Sequence, residues 1–402
     1  MTFRLELALN AADRDGADTE KPAALQPIAR VSTLVRQVVF AHRAGATRVH
    51  ICGSDSHIAA ARAHLEKEHR VADIPLVYGE SLPDADDVVR VPAELLLSKG
   101  HWKLLAEARD GGHLPGFPEA RREGANVDQP LAESPLAEPD YAMWVRTKAD
   151  ARAAKRVIFA NLRKGSSRFV ARHIYTRISV PTSKLLAELP ITPNQITIGH
   201  FTLGVIGCVL MAFGTVPMLA LGAVLLQLSA AFDLCDGEIA RSKLLESDGG
   251  QYLDSVCDHI THVVTVCAFT IGYSRYAHSI GASYADLILP IGLGTTATLG
   301  ALVVFLFWYA KAKQLGGVLT AVAKQNDDNE MGFFMRTLHF IRPLGERDQF
   351  TMAITAVAVI PALLGSDLGY PILFWVTQVF IVLASIYFPV GAFQSAQREA
   401  AG

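Results

Sequence analysis

Asp233, Asp236, Asp254 and Asp258 are four carboxylates at helical spacing, the first two three residues apart and the last two four apart. Each pair would share one helix face. Two acidic faces brought together can hold one or two hard cations through oxygen ligands, so Mg²⁺ or Mn²⁺ is expected. No Cys/His set in the chain has zinc spacing. The acids directly follow residues 189–232, a run without Asp, Glu, Lys or Arg. Ionised groups at membrane depth are costly and mark a functional site.

Around them stands a longer pattern. It reads Asp233-x2-Asp236-Gly237-x2-Ala240-Arg241-x8-Gly250-x3-Asp254-x3-Asp258. Gly237, Ala240 and Gly250 put small residues where a ligand or a neighbouring backbone can approach closely. This pattern resembles the complete signature of the CDP-alcohol phosphotransferase family. Thr192-Pro193-Asn194-Gln195-Ile196-Thr197 is also similar to the stretch that opens the first spanning helix in many members.

The resemblance implies metal-dependent transfer of a substituted phosphate group from a CDP-linked donor to an alcohol hydroxyl, with release of CMP. It implies Asp233, Asp236 and Asp254 as metal ligands. Asp258 would be both ligand and general base. Arg241 would contact the donor phosphates, and Gly237, Ala240 and Gly250 would give the cytidine and phosphates close access. Donors in the family include CDP-diacylglycerol and CDP-polyols. The wording of the motif leans toward the inositol-phosphate-type branch.

The elements that must position these residues fall into two parts. The chain has 402 residues, 50% of them hydrophobic, and a mean hydropathy of +0.26. Its net charge of −2 discriminates no partner; the local distribution does. Residues 1–122 read as soluble α/β. Arg48–Gly53, Ile74–Tyr78 and Asp87–Val91 are expected strands, and Leu34–Arg43 and Ser56–His69 expected helices. Strands alternating with helices imply a parallel sheet. This part resembles the nucleotidyltransferase-like domain fused to some family members. Leu5–Lys21 offers a single glycine, Gly16, where an active relative needs a Gly-rich phosphate cradle. A degenerate domain with a structural, dimerising or regulatory role is expected. Residues 123–144 are expected to be a linker.

Lys and Arg crowd residues 145–190, which are expected to form a basic amphipathic juxtamembrane region. Arg172, Arg177 and Lys184 there, with Arg342 and Arg347 further on, are candidates to bind an anionic acceptor. Residues 191–398 are expected to cross the membrane six times, near 194–213, 216–243, 249–274, 286–312, 347–365 and 370–394. Positive residues flank the aspartate side, whereas the opposite turns carry only Arg275. The positive-inside rule therefore places both termini and the aspartates toward the cytoplasm, in the inner membrane. The five cysteines form no CxxC pair, which suits a reducing compartment.

The expected fold is thus an α-helical membrane protein of six spans preceded by a soluble α/β domain. The expected partners are a CDP-linked donor, an alcohol acceptor, membrane lipid and a second copy in a homodimer, with no nucleic acid. The alternative from another class is a cation-coupled transporter using midplane acids. It would call for broken helices or an inverted repeat, and the sequence shows neither. His259 and His262, Cys235 and Cys257, and Glu238 are expected to pack rather than ligate.

Overall fold

The computed structural model describes residues 2–9, 22–79, 81–108, 111–124, 128–131, 141–164, 170–312 and 347–401. It divides into an α/β unit and a helical unit. The division does not follow the chain simply. The α/β unit holds Met1–Ser167 together with Val180–Pro190 and Glu238–Leu245, and the helical unit holds the rest.

The α/β unit is built on a six-stranded sheet in the order β5-β4-β1-β6-β9-β8. Its strands are β1 (Phe3–Ala8), β4 (Ala46–Cys52), β5 (Leu76–Tyr78), β6 (Val88–Pro92), β8 (Gly112–Leu114) and β9 (Phe117–Arg122). β1 pairs in parallel with β4 and β6, and β4 with β5; β9 and β8 run antiparallel at the edge. Leu5 lies between Val49 and Val89, and Leu7 between Ile51 and Val91. All six are buried, so the alternation of β1 supplies one continuous apolar layer. The three expected strands are present, with helices α1 (Thr33–Arg43) and α2 (Asp55–Leu65) beside them. Ser32 caps α1, accepting a hydrogen bond from Val35 N–H at 3.2 Å.

A charge cluster lies on the face of this sheet opposite Leu5 and Leu7, where Glu6 and Arg90 are register partners. Arg90 donates to Glu6 at 2.8 Å, to Glu123 at 2.7 Å and to Asp84 at 2.7 Å. Glu6 also accepts from Ser81 Oγ at 3.0 Å and from Leu82 N–H at 2.7 Å. Residues 10–21, where a phosphate cradle would fall, lie outside the described residues.

The unit continues past Arg122. β10 (Ala142–Trp144) pairs antiparallel with β7 (Leu95–Leu97), inside the stretch expected as linker. Helix α4 (Lys148–Lys164) follows, and its Ala151, Ala154 and Ile158 pack on Ile28, Leu96 and Val145. The apolar stripe of this basic helix therefore has a protein partner.

The helical unit contains α6 (Pro193–Met211), most of α7 (Val216–Lys243), α8 (Asp248–Ser279), α9 (Ala285–Ala312), α10 (Arg347–Leu363) and α11 (Gly369–Ala401). Helix α3 (Lys99–Glu107) belongs to the α/β unit. Helix α5 (Thr176–Leu186), entered by a π-helical turn at Ala171–Tyr175, is divided between the two. Among the described residues, five helices are long and apolar enough to cross a membrane. The sixth expected span, α10, has a 17-residue helix and falls short of that length. Met211, Leu226, Phe269, Tyr370 and Phe374 form the centre of this unit.

Small residues set its helix spacing. A Cβ on Gly207 of α6 would lie 2.6 Å from the Gly222 carbonyl oxygen of α7. A Cβ on Gly222 would overlap the Gly207 carbonyl in turn. The two backbones are therefore in direct contact, as small residues permit in apolar surroundings.

Candidate active site

Thr192-Pro193-Asn194-Gln195 is a helix start. Thr192 Oγ1 accepts from Gln195 N–H at 3.4 Å, and Gln195 Oε1 accepts from Thr192 N–H at 3.0 Å. Proline occupies the first helical turn, where its missing N–H costs nothing. From this start, Thr197, His200, Gly204, Gly207, Cys208 and Met211 form the buried face of α6. Their spacing of three, four, three, one and three is one helical stripe.

That stripe meets the acidic face of α7. Thr197 Oγ1 donates to Asp236 Oδ2 at 2.5 Å. His200 Nε2 lies 3.3 Å from Asp233 Oδ1 and 3.6 Å from Asp236 Oδ2. Ser229, one turn before Asp233, donates to the His200 carbonyl at 2.7 Å and fixes the axial alignment of the two helices. From α8, Asp254 completes the group. His200, Asp233, Asp236 and Asp254 each bring a ligand atom within 4.8 Å of the others. Asp236 is 8% exposed and His200 3% exposed, so bulk water screens them poorly.

Three carboxylates this close repel one another when ionised. A divalent cation removes the repulsion, and the donor set fits one. Asp254 Oδ1 is buried without a hydrogen-bond partner, as are both ring nitrogens of His200. Adjacent ligand atoms on an octahedral ion with bonds of about 2.1 Å lie about 3 Å apart, close to the 3.3 Å between His200 and Asp233.

The expected site residues are thus partly brought together. Asp233, Asp236 and Asp254 converge. Asp258 stands one turn further along α8, half-buried and outside the four-residue group, because a helical turn carries it about 5.4 Å onward. Gly237 and Ala240 follow Asp236 on α7, and Arg241 is exposed at its last turn. Gly250 opens α8, and a Cβ there would lie 3.2 Å from Asn194 Oδ1. Its smallness therefore lets the start of α6 approach the start of α8. Arg177 is exposed on α5, and Lys184 is half-buried with its carbonyl accepting from Lys155 Nζ at 2.8 Å. Arg172 falls in the π-helical turn and Arg347 opens α10, while Arg342 lies outside the described residues.

His200 and Thr197 were not expected from the sequence. The available signal was the run of small and polar residues at helical spacing within an otherwise apolar span.

Residues 190–383 match the family model for CDP-alcohol phosphatidyltransferase. A bifunctional IPC transferase and DIPP synthase of Thermococcus kodakarensis is 41% identical over 115 residues, covering 28% of this chain and 26% of that protein. A phosphatidylinositol phosphate synthase of Corynebacterium glutamicum is 42% identical over 81 residues, covering 20% of this chain and 36% of that one. Across the first curated relatives, the chain spans between 26% and 43% of the relative's length. The crystal structure of a Mycobacterium tuberculosis phosphatidylinositol phosphate synthase with CDP-DAG bound aligns at 21% identity and a TM-score of 0.36, over 55% of this chain and 92% of that one.

Proposed function

From the premise that residues 190–383 are a CDP-alcohol phosphatidyltransferase domain, we propose that this chain is an integral membrane enzyme that moves a substituted phosphate from a CDP-linked donor to an alcohol. The acceptor is of the inositol-phosphate type, in keeping with the relatives' names. The observation that carries the reading is the convergence of His200, Asp233, Asp236 and Asp254 within 4.8 Å.

Asp233, Asp236, Asp254 and His200 are the residues that would hold one or two divalent cations, Mg²⁺ or Mn²⁺. When bound, such a cation neutralises charge on the donor's pyrophosphate oxygens and stabilises the leaving CMP. Asp258, one turn from Asp254, accepts the acceptor hydroxyl's proton. The new bond joins the acceptor oxygen to the phosphorus that bears the donor's alcohol. The bond that breaks joins that phosphorus to the bridging oxygen, which leaves with CMP. Arg241 presents a planar guanidinium to the donor phosphates. Gly237, Ala240 and Gly250 leave room for the nucleotide. Arg172, Arg177, Lys184, Arg342 and Arg347 are the basic residues offered to an acceptor phosphate. Thr197 orients the Asp236 carboxylate by its hydrogen bond.

Six spans, a homodimer, both termini cytoplasmic and a site open to the inner leaflet of the cytoplasmic membrane complete the reading. Its support is the crowding of Lys and Arg on the aspartate side of the sequence.

The test is CMP release by purified protein with CDP-diacylglycerol or a CDP-polyol as donor and a panel of acceptors that includes inositol phosphate. Release that depends on Mn²⁺ or Mg²⁺ and stops with EDTA is expected. Full release from metal-free protein would sink the proposal.

A further inference from the structure

His200 is the one nitrogen donor in a group otherwise made of oxygen. Asp233, Asp236 and Asp254 bring carboxylates, His200 brings an imidazole, and the four ligand atoms lie within 4.8 Å of one another. All four residues belong to the helical unit. The backbone that carries the ring is held on both sides. Ser229 Oγ donates to the His200 carbonyl at 2.7 Å. One turn before, Thr197 Oγ1 donates to Asp236 Oδ2 at 2.5 Å. One turn after, a Cβ on Gly204 would lie 3.0 Å from Ser229 Oγ, so α6 and α7 are close there too. The ring is therefore brought to the carboxylates by a fixed stretch of α6, and its side chain is 1% exposed.

Hydrogen bonding does not account for that placement. Nε2 lies 3.3 Å from Asp233 Oδ1 and 3.6 Å from Asp236 Oδ2, yet neither ring nitrogen makes a hydrogen bond. A buried polar group left unpaired costs about 1–3 kcal/mol. An apolar side chain of similar volume would fill the space without that cost. A neutral imidazole with its proton on Nδ1 presents a lone pair at Nε2. A lone pair turned toward carboxylate oxygens is repelled until a cation lies between them.

The donor set then discriminates between cations. Carboxylate oxygens suit Mg²⁺ and Mn²⁺ alike, whereas imidazole suits transition ions. Mg²⁺ gives up its water reluctantly and is bound through oxygen. Mn²⁺ carries the same charge, accepts the same carboxylates, and gains from a nitrogen donor where Mg²⁺ does not. We propose that His200 is the specificity-determining residue of this site, its Nε2 making the three aspartates select Mn²⁺ over Mg²⁺. This rests on the transferase reading above and deepens it. Asp233, Asp236 and Asp254 supply the charge that attracts any divalent cation, and the imidazole decides which one stays.

The experiment uses the full-length, untagged protein in lipid nanodiscs, and its main readouts need no turnover. Mn²⁺ and Mg²⁺ affinities are measured by titration calorimetry. The Mn²⁺-loaded protein is then examined by electron spin echo envelope modulation, which detects a nitrogen nucleus bonded to manganese. The wild type is expected to show that nitrogen and to prefer Mn²⁺. His200→Gln offers an amide oxygen at similar reach in place of the ring nitrogen. It should lose the nitrogen signal and weaken Mn²⁺ binding about 10- to 100-fold, with Mg²⁺ affinity within about threefold of wild type. A merely structural role would lower both affinities together. Parallel loss, unchanged Mn²⁺ affinity, or no manganese-bound nitrogen in the wild type would each overturn the proposal. If His200→Gln does not fold, the wild-type nitrogen signal decides, its presence supporting the proposal and its absence ending it. CMP release is followed alongside. Wild-type protein that binds neither cation and releases no CMP would remove the transferase reading and this one with it. Metal-dependent CMP release without a manganese-bound nitrogen removes this one alone.

Discussion

In the α/β unit, Glu6, Asp84 and Glu123 converge on the guanidinium of Arg90 at 2.7 to 2.8 Å. In the helical unit, Asp233, Asp236 and Asp254 converge on one another and on His200. Both are acidic clusters of three carboxylates, and their physics is opposite. Arginine offers five N–H donors in a fixed fork, so the first cluster is satisfied by the chain itself. The second gathers like charges with an imidazole and has no guanidinium among its four residues. It is stable in fully ionised form only when a cation joins it. On the function proposed above, the cluster closed by arginine serves the fold and the one gathered around an imidazole serves a cation.

The comparison breaks first, and most visibly, at Asp254. Asp254→Asn should lower CMP release about 10²- to 10³-fold, the usual scale for losing a preorganised electrostatic contact, with thermal stability of the metal-free protein unchanged or raised. A fall in metal-free stability would mean that the cluster serves the fold after all. Arg90→Met should do the reverse. It should destabilise the α/β unit by about 3 kcal/mol, since it strands carboxylates that are mostly buried, and leave Mn²⁺ affinity unchanged. Chemical denaturation beside calorimetry checks both. His200→Gln sharpens the boundary, with Mn²⁺ affinity expected to fall about 10- to 100-fold, read by manganese electron paramagnetic resonance. An unchanged affinity would make His200 a packing residue.

Acidity gives the smallest effect. Arg4 hydrogen-bonds Asp87 and holds its carboxyl below the usual carboxylate range. The contribution is therefore complete above the unfolded value of about 3.9 and is lost as pH falls through the lower folded value. The pair is partly solvent-exposed, so its loss should amount to under about 1 kcal/mol. Asp87→Asn should abolish that part of the acid dependence.

The sequence made the carboxylate faces legible because their spacing is helical and their surroundings apolar. It made the parallel sheet legible because strands and helices alternate. β1 is less legible, although Phe3, Leu5 and Leu7 alternate as a half-buried strand should, because the acids that follow it read as loop. α4 shows a different limit. Its basic residues suggest a lipid surface, yet Ala151, Ala154 and Ile158 find Ile28, Leu96 and Val145 instead. An amphipathic stripe announces that it will be covered and says nothing of what covers it. His200 is not legible in the sequence, because one polar residue in an apolar span gains meaning only from what the neighbouring helix brings opposite to it.

The backbone contact between Gly207 and Gly222 bears on how this protein can change. It fixes α6 against α7 at one point, and His200 meets Asp233 two turns away. A single-residue insertion between His200 and Gly207 would rotate the imidazole by about 100° and shift it by about 1.5 Å, with the contact itself intact. No substitution elsewhere would restore its aim. The turn at Gly281 is under no such restraint, since a Cβ there meets nothing within 4 Å. Divergence in the amino-terminal half of α6 should therefore proceed by replacement at constant length, while insertions and deletions collect in the turns between helices.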